Sequence, residues 1–276
     1  TPSSNRRQRQ MCIRDRNTST PSPTSTSTSA LLASQIIDPA GISMVLIPQG
    51  PFIMGTNDDE PWDIVSRPAD TIGLDVFYID KYEVSNGLYA DCVLENVCNA
   101  PSKERSRTRQ SYYGNPVYFD YPVIYVSWND ASTYCSWRGG RLPLEAEWEK
   151  AARGEKAYKY PWGGESADCQ YATFSPDNEC VGDTASVHSF SNGASPYGVI
   201  NMSGNVYEWV QDWFQAYPGG NPNATKDFGL SNRVVRGGAY FDGLNNIKTT
   251  SRFGLNPNIR YSYVGFRCVI DIDALP

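Results

Sequence analysis

Seven cysteines offer this sequence its widest choice of chemistry, because a thiol can act as a nucleophile, a metal ligand or half of a disulfide. Cys12 lies in an N-terminal stretch of unusual composition, which leaves six: Cys92, Cys98, Cys135, Cys169, Cys180 and Cys268. Zinc is disfavoured because no C-x-x-C spacing occurs. The short separations favour the pairs Cys92–Cys98 and Cys169–Cys180 and leave Cys135 and Cys268 for a long-range pair, with free buried thiols as the alternative. Three disulfides would indicate an oxidising compartment.

The single histidine, His188, limits the enzyme classes open to this chain. A non-haem iron site needs two or three imidazoles, so no iron cofactor is expected. A Ser/His/Asp hydrolase would need the same residue together with a nucleophile-elbow motif, which is absent. We expect His188 at the surface or at a strand edge.

Short elements separated by glycine- and proline-rich turns must position these residues. Strands are predicted over residues 44–47, 52–54, 72–78, 233–236 and 264–270 from runs or alternation of apolar residues. Helices are predicted from the N-cap Ser85 to Leu94, over residues 129–138, and from Pro143 to a stop at Gly154. Few regular elements, many aromatic residues and disulfides predict a loop-rich α+β domain.

The composition divides the chain into a tail and one domain. Residues 1–35 contain no periodic apolar pattern and predict a disordered tail with a Thr/Ser/Pro-rich linker. Within it, residues 3–16 resemble translated adapter sequence and are left out of the fold prediction as a suspected non-native segment. Residues 36–276 are predicted to form the folded domain.

Charge and hydropathy exclude two classes of partner. The formal net charge is −6 for the chain and −10 without residues 1–16, whereas a nucleic-acid surface requires the opposite sign. No apolar run reaches the roughly 18 residues that a membrane-spanning helix needs. We expect an extracytoplasmic monomer, secreted or displayed by an anchor upstream of residue 1.

Four ordered motifs resemble the formylglycine-generating enzyme, or sulfatase-modifying factor, family. They cover about residues 41–271 and comprise Met44-Val-Leu-Ile-Pro-Gln-Gly-Pro-Phe-Ile-Met-Gly55 with Asp80-Lys-Tyr-Glu-Val-Ser-Asn86, Val126-Ser-Trp-Asn-Asp-Ala131 with residues 140–154, Tyr197-Gly-Val-Ile-Asn-Met-Ser-Gly-Asn-Val-Tyr-Glu-Trp209, and Arg236-Gly-Gly-Ala-Tyr240 with Val264-Gly-Phe-Arg-Cys268. The resemblance implies a modified C-type-lectin-like fold with low regular secondary structure, stapled by disulfides. It also implies a long-range disulfide between Cys135 and Cys268.

The resemblance implies a chemistry for which this chain lacks the residues. In enzymes of the family, two cysteines after the Arg-Gly-Gly-Ser motif bind copper, activate dioxygen and oxidise a substrate cysteine. Thiolates suit Cu(I) because they are soft ligands. Here the stretch from Ala239 to Arg267 contains no cysteine, and Asp242 stands near the position of the first one. No copper cofactor and no catalytic residues are therefore expected.

A structural calcium site is implied by the resemblance. The family turn that corresponds to residues 201–208 binds calcium, and the matching positions here are Asn201, Gly204, Val206 and Glu208. Hard oxygen ligands of this kind suit Ca²⁺. The alternative is that Glu208 only closes the turn by hydrogen bonds. A weaker second site is implied near Asp177, Glu179 and Val181.

The stretch from 240 to 263 combines aromatic and polar side chains, as binding surfaces do. We predict that it binds a peptide, protein or glycan, with contributions from Tyr240, Phe241, Asp242, Asn245, Arg252, Tyr261 and Tyr263. For Tyr240 and Phe241 the alternative is a place in the core, and for Arg252 a buried ion pair.

Two functions follow from these observations. The first is an exported, calcium-stabilised binding or display module that has lost formylglycine-generating activity. The second is an enzyme of the same family that acts by an unidentified oxidase-type reaction in the same cleft.

Overall fold

Short strands and helices joined by long loops make up the computed structural model, which describes residues 32–164, 166–175 and 180–274. Within these residues there are three α-helices, α1 Asn86–Leu94, α2 Trp128–Trp137 and α3 Glu145–Arg153. The ten strands are β1 Gln35–Ile37, β2 Ser43–Ile47, β3 Gly50–Met54, β4 Asp70–Leu74, β5 Phe77–Asp80, β6 Tyr207–Trp213, β7 Arg233–Arg236, β8 Arg252–Leu255, β9 Val264–Gly265 and β10 Val269–Asp271. The predicted loop-rich α+β class is confirmed.

The three helices begin and end where local chemistry predicts. The Ser85 hydroxyl accepts a hydrogen bond from the Leu88 N–H, as an N-cap does. Ser127 and Asp130 form a capping box at the start of α2. Helix α3 ends at Gly154, whose φ of 64° suits a residue without a Cβ atom.

Two four-stranded sheets and a hairpin organise the chain. The first sheet has the order β1-β2-β5-β10, the second has the order β8-β7-β6-β9, and β3 pairs with β4. In the second sheet β6 runs antiparallel to β7 and parallel to β9. The loops that follow β7 and β8 carry the predicted binding residues, so this sheet positions the candidate site.

Two predicted strands are each divided in the structure. The prediction of one strand over residues 72–78 is wrong, because β4 ends at Leu74 in the hairpin and β5 begins at Phe77 in the first sheet. The prediction of one strand over residues 264–270 is wrong for the same reason, since β9 pairs with β6 and β10 pairs with β5. Apolar alternation does not reveal which partner a strand will find.

Three disulfides staple the domain with the predicted connectivity. Cys92–Cys98 and Cys169–Cys180 close short loops, with sequence separations of 6 and 11. Cys135–Cys268 joins α2 to the residue before β10 across 133 positions. Disulfides of this number indicate folding in an extracellular or lumenal compartment.

The core lies between the sheets and the helices. One apolar cluster packs α1 and α2 against β6 and includes Tyr89, Tyr134, Trp209 and Phe266. A second packs α3 against the strands through Trp148. Residues Ala33–Pro276 form one compact unit by their contacts. The predicted tail, residues 1–31 of it, lies outside the described residues, and the first strand already begins at Gln35.

Among the described residues, no helix is both long and apolar enough to cross a bilayer.

Candidate functional site

Asp242 closes a turn with both of its carboxylate oxygens. Oδ2 accepts a hydrogen bond from the Ala239 N–H at 2.9 Å, and Oδ1 accepts one from the Asn246 amide at 2.9 Å. The Asp242 carbonyl accepts a further hydrogen bond from the Ser175 N–H at 2.8 Å. The side chain is buried, so its carboxylate is engaged by the chain itself.

No free thiol lies near this turn among the described residues. All six cysteines in the described ranges are bonded in pairs. The stretch between Ala239 and Arg267 contains none in the sequence. The stretch from Ala239 to Arg267 therefore offers no thiolates for a copper site.

Four aromatic side chains form a partly exposed surface, which we call the aromatic patch: Phe241, Phe253, Tyr261 and Tyr263. The ring of Tyr263 contacts those of Phe241 and Tyr261, at centroid distances of 5.1 and 5.3 Å. The buried ring of Tyr207 packs edge-on against Phe253 at 5.5 Å and Tyr263 at 6.2 Å. Phe241 is 40 % exposed and Phe253 is 37 % exposed. Three rings of the patch contact one another, and Phe253 joins them through the buried ring of Tyr207.

The other residues predicted for this surface lie elsewhere or only support it. Tyr240 is 2 % exposed and packs beneath Phe241 at 5.3 Å, so it belongs to the core. Asn245 is exposed on the loop after Asp242. The structure does not bring Arg252 to the patch. Its guanidinium is buried in an ion pair with Glu145, with an Nε to Oε1 distance of 2.7 Å.

Three residues of the turn predicted to bind calcium have a left-handed backbone conformation. Asn201, Gly204 and Asn205 have φ angles of 59°, 76° and 62°. Asparagine and glycine adopt this region most readily. The turn is held by hydrogen bonds from the Gly204 N–H to the Gly237 carbonyl and from the Asn205 N–H to the Thr173 carbonyl.

Glu83 binds both asparagine side chains of the turn. Its two carboxylate oxygens accept hydrogen bonds from the amides of Asn201 and Asn205, each at 2.8 Å. Burial, assisted by the nearby charge of Glu208, raises the pKa of Glu83 to about 7 against the lowering effect of Arg267. The carbonyl oxygen of the Asn201 side chain is buried without a hydrogen-bond partner.

Glu208 forms a fully buried pair with Arg267. Its oxygens accept hydrogen bonds from Arg267 Nη2 at 2.6 Å and Nε at 2.7 Å, and Trp148 Nε1 donates a third at 2.7 Å. Two carboxylates, Glu83 and Glu208, thus face one guanidinium. Among the described residues, no three His, Cys, Asp or Glu side chains cluster as metal ligands. An ion in this turn would therefore rest mainly on amide and backbone oxygens, and the unpartnered Asn201 oxygen fits that role.

The weaker second calcium site falls mostly outside the described residues, because Asp177 and Glu179 belong to the gap at 176–179. His188 is exposed, as expected. Its ring packs edge-on against Tyr82 at 4.5 Å, and Nε2 lies 4.0 Å from Asp120.

Sequence reasoning did not identify Glu83, Arg267 or Tyr207 as parts of the site. Glu83 and Arg267 lie in motifs that carry the family resemblance, but their pairing with the turn is a contact between distant segments. Buried charged residues inside such motifs are the one signal that would have pointed to them.

Comparison with known proteins gives the same family for most of the chain. Residues 33–272 match the sequence profile described as "Sulfatase-modifying factor enzyme 1-like domain". The formylglycine-generating enzyme of Bos taurus is 31% identical over 83% of this chain and 74% of its own length. A second Bos taurus protein, "Inactive C-alpha-formylglycine-generating enzyme 2", is 29% identical over 82% of this chain and 87% of its own.

A solved structure confirms the expected fold. PvdO from Pseudomonas aeruginosa superposes with a TM-score of 0.70 at 27% identity, covering 86% of this chain and 98% of that one.

Proposed function

We propose, because this chain belongs to the sulfatase-modifying factor family, that its domain is an exported binding module that has lost copper-dependent formylglycine generation. One observation carries the proposal: a carboxylate, Asp242, stands near the position of the first family cysteine, and its oxygens accept hydrogen bonds from the Ala239 N–H and the Asn246 amide. A carboxylate is a hard ligand and cannot exchange disulfides with a substrate cysteine.

The aromatic patch is the surface we assign to ligand binding. Rigid, partly exposed aromatic rings supply contact area at a low entropic cost, and binding hot spots are enriched in such residues. Phe253 and Tyr261 are the members that we expect to contribute most, because each is exposed on one side and supported by a buried ring on the other. The ligand would be a peptide, a protein or a glycan outside the cytoplasm.

Loss of activity is tested by loading the purified protein with Cu(I) and supplying a cysteine-containing peptide. We expect no oxygen uptake above that of the protein-free control and no aldehyde product by mass spectrometry. Formation of formylglycine would overturn the proposal. Oxygen uptake without aldehyde would favour the second function, an oxidase-type reaction in the same cleft.

Ligand binding is tested by screening peptide and glycan arrays with the intact protein. Hits at the aromatic patch should weaken at least tenfold in Tyr261→Ala and Phe253→Ala. Phe119→Ala is the matched control, because Phe119 is also an exposed ring but lies at the end of a separate one-turn helix. Hits that survive both patch variants would remove this surface from the proposal.

We propose that a structural calcium ion binds at the turn of residues 201–208, held by Asn201, Gly204, Val206 and Glu208. The buried, unpartnered Asn201 oxygen supports this assignment. Both oxygens of Glu208 accept hydrogen bonds from Arg267 or Trp148, so calcium would have to replace one of these donors to gain Glu208 as a ligand. Chelation should lower the melting temperature and Asn201→Ala should abolish the difference, whereas an unchanged melting temperature would count against the ion.

A further inference from the structure

A cleft lies at the end of β6 that carries Trp213, and none of the four aromatic-patch side chains lines it. It has a volume of about 620 Å³, within the usual range of small-molecule sites. Its apolar wall includes Met54, Ile72, Leu144, Tyr217 and Pro218. The lining also carries four charged side chains: Glu145 and Arg252, which pair with each other, and Asp212 and Arg233, which form no ion pair with each other among the described residues.

The guanidinium of Arg233 is held between two indole rings. Its Cζ atom lies 3.5 Å from the ring centroid of Trp213, the cross-strand neighbour on β6, and 4.0 Å from that of Trp128 on α2. Trp128 is itself fixed, because its Nε1 donates a hydrogen bond to the Val210 carbonyl at 2.8 Å. The clamp fixes the plane and position of the cation before any ligand arrives.

Arg233 is partly buried and, among the described residues, lacks the carboxylate partner that the buried arginines Arg236 and Arg252 have. Its one hydrogen bond among the described residues runs from Nη1 to the Gln211 carbonyl at 2.6 Å. Nε is buried without a partner, and the described part of the chain offers none to Nη2. By contrast, Arg236 and Arg252 each pair with buried glutamates. A preorganised guanidinium with unused donors is suited to binding an anion.

The charges and the volume of the cleft limit the class of ligand that it can bind. Asp212 lies on the same cleft, and its carboxyl accepts a hydrogen bond from the Glu145 N–H at 2.7 Å. The negative charge of Asp212 repels a doubly charged phosphate more strongly than a singly charged carboxylate. We propose that this cleft binds a small carboxylate with an aryl or alkyl body, the carboxylate on Arg233 and the body along the apolar wall.

The test uses 4-phenylbutyrate and octanoate as probes and their primary amides as neutral matches, added to the full chain. The readout is the shift of the Trp128 and Trp213 indole N–H signals in ¹H–¹⁵N spectra. The acids should shift both signals in a saturable way and should bind at least tenfold more tightly than the amides. If neither acid shifts either indole signal, or if the amides bind as tightly as the acids, the proposal is wrong.

Variants separate the cation from its surroundings. Arg233→Gln should weaken the acids at least tenfold, whereas Arg67→Gln, at a partly exposed arginine paired with Asp59, should leave binding unchanged. If the glutamine variant does not fold, Arg233→Lys replaces it. This variant keeps a positive charge between the indoles and removes only the planar donors of the guanidinium. Asp212→Asn should leave binding equal or tighter, and loss of acid binding in this variant would contradict a carboxylate ligand.

Discussion

Carboxylates in this molecule are mostly satisfied by donors of the chain itself. Asp242 closes a turn, Glu208 pairs with Arg267, and Asp183 accepts four hydrogen bonds from three residues. Each carboxylate is nine-tenths or more buried. Leaving it without hydrogen bonds would therefore cost more free energy than the hydrogen bonds contribute to net stability. Changes at these positions therefore act first on stability.

Asp183 should make the stability of the protein acid-sensitive. Burial alone raises its pKa, but hydrogen bonds from Ser106 and Thr108 outweigh that effect and hold the pKa below its usual value. A lowered pKa in the folded state contributes stability that is present above the unfolded pKa of about 3.9 and is lost as the pH falls through the folded pKa. Asp183→Asn should lower the free energy of unfolding at pH 7 by about 2 kcal/mol.

The check on Asp183 is urea unfolding at pH 7 and at pH 3.5. The difference between the two pH values should be smaller in Asp183→Asn than in the parent protein. Asp75→Asn serves as the control, because Asp75 is exposed. An equal pH difference in parent and Asp183→Asn would show that this carboxylate does not carry the effect.

At the scale of elements, the turn before β6 depends on one close approach. Gly204 has a φ of 76°, and a Cβ atom there would collide with the backbone carbonyl oxygen of Thr173. The same turn carries Asn201 and leads into Tyr207 and Glu208. Its geometry therefore governs both the predicted calcium site and one side of the aromatic patch.

Gly204→Ala should destabilise the protein by about 3 kcal/mol or more, because it adds a backbone collision to the strain of a positive φ. Gly41→Ala is the matched control, with a φ of 82° and open space around its Cβ position, and should cost only about 1 kcal/mol. Both values come from urea unfolding. Similar losses in the two variants would mean that the collision is relieved by a shift of the backbone at Thr173.

At the scale of the whole molecule, the disulfides differ in what they constrain. Cys135–Cys268 spans 133 positions and joins α2 to the first sheet, whereas Cys92–Cys98 spans 6. The entropy that a disulfide removes from the unfolded chain grows with the length of the loop it closes. We therefore expect the long-range disulfide to stabilise the domain more than the short-range ones.

Replacing Cys135 and Cys268 together by alanine should cost about 5 kcal/mol, and replacing Cys92 and Cys98 about 2 kcal/mol, in the chain-entropy description. Thermal and urea unfolding of the two double variants would measure the difference. We expect the first variant to fold poorly at 37 °C. A larger loss from the short-loop variant would contradict the assignment.

The sequence by itself determined the features that depend on near neighbours. Ser85 and Ser127 cap helices because their hydroxyls reach N–H groups three residues away, and Gly154 ends a helix because it lacks a Cβ atom. The absence of a cysteine near Asp242 and the charge balance also followed from residue types. Spacing favoured the two short-range disulfides, and the family resemblance implied the pair Cys135–Cys268. The family motifs gave the fold.

Tertiary structure alone decided which distant residues meet. It divided residues 72–78 and 264–270 between different partners, turned Arg252 inward to Glu145, placed Glu83 against Asn201, and clamped Arg233 between Trp128 and Trp213. These outcomes depend on strand register and on contacts across more than 90 positions in several cases, and a local pattern carries no information about either. The physical reason is that these contacts form only when folding brings segments distant in sequence together.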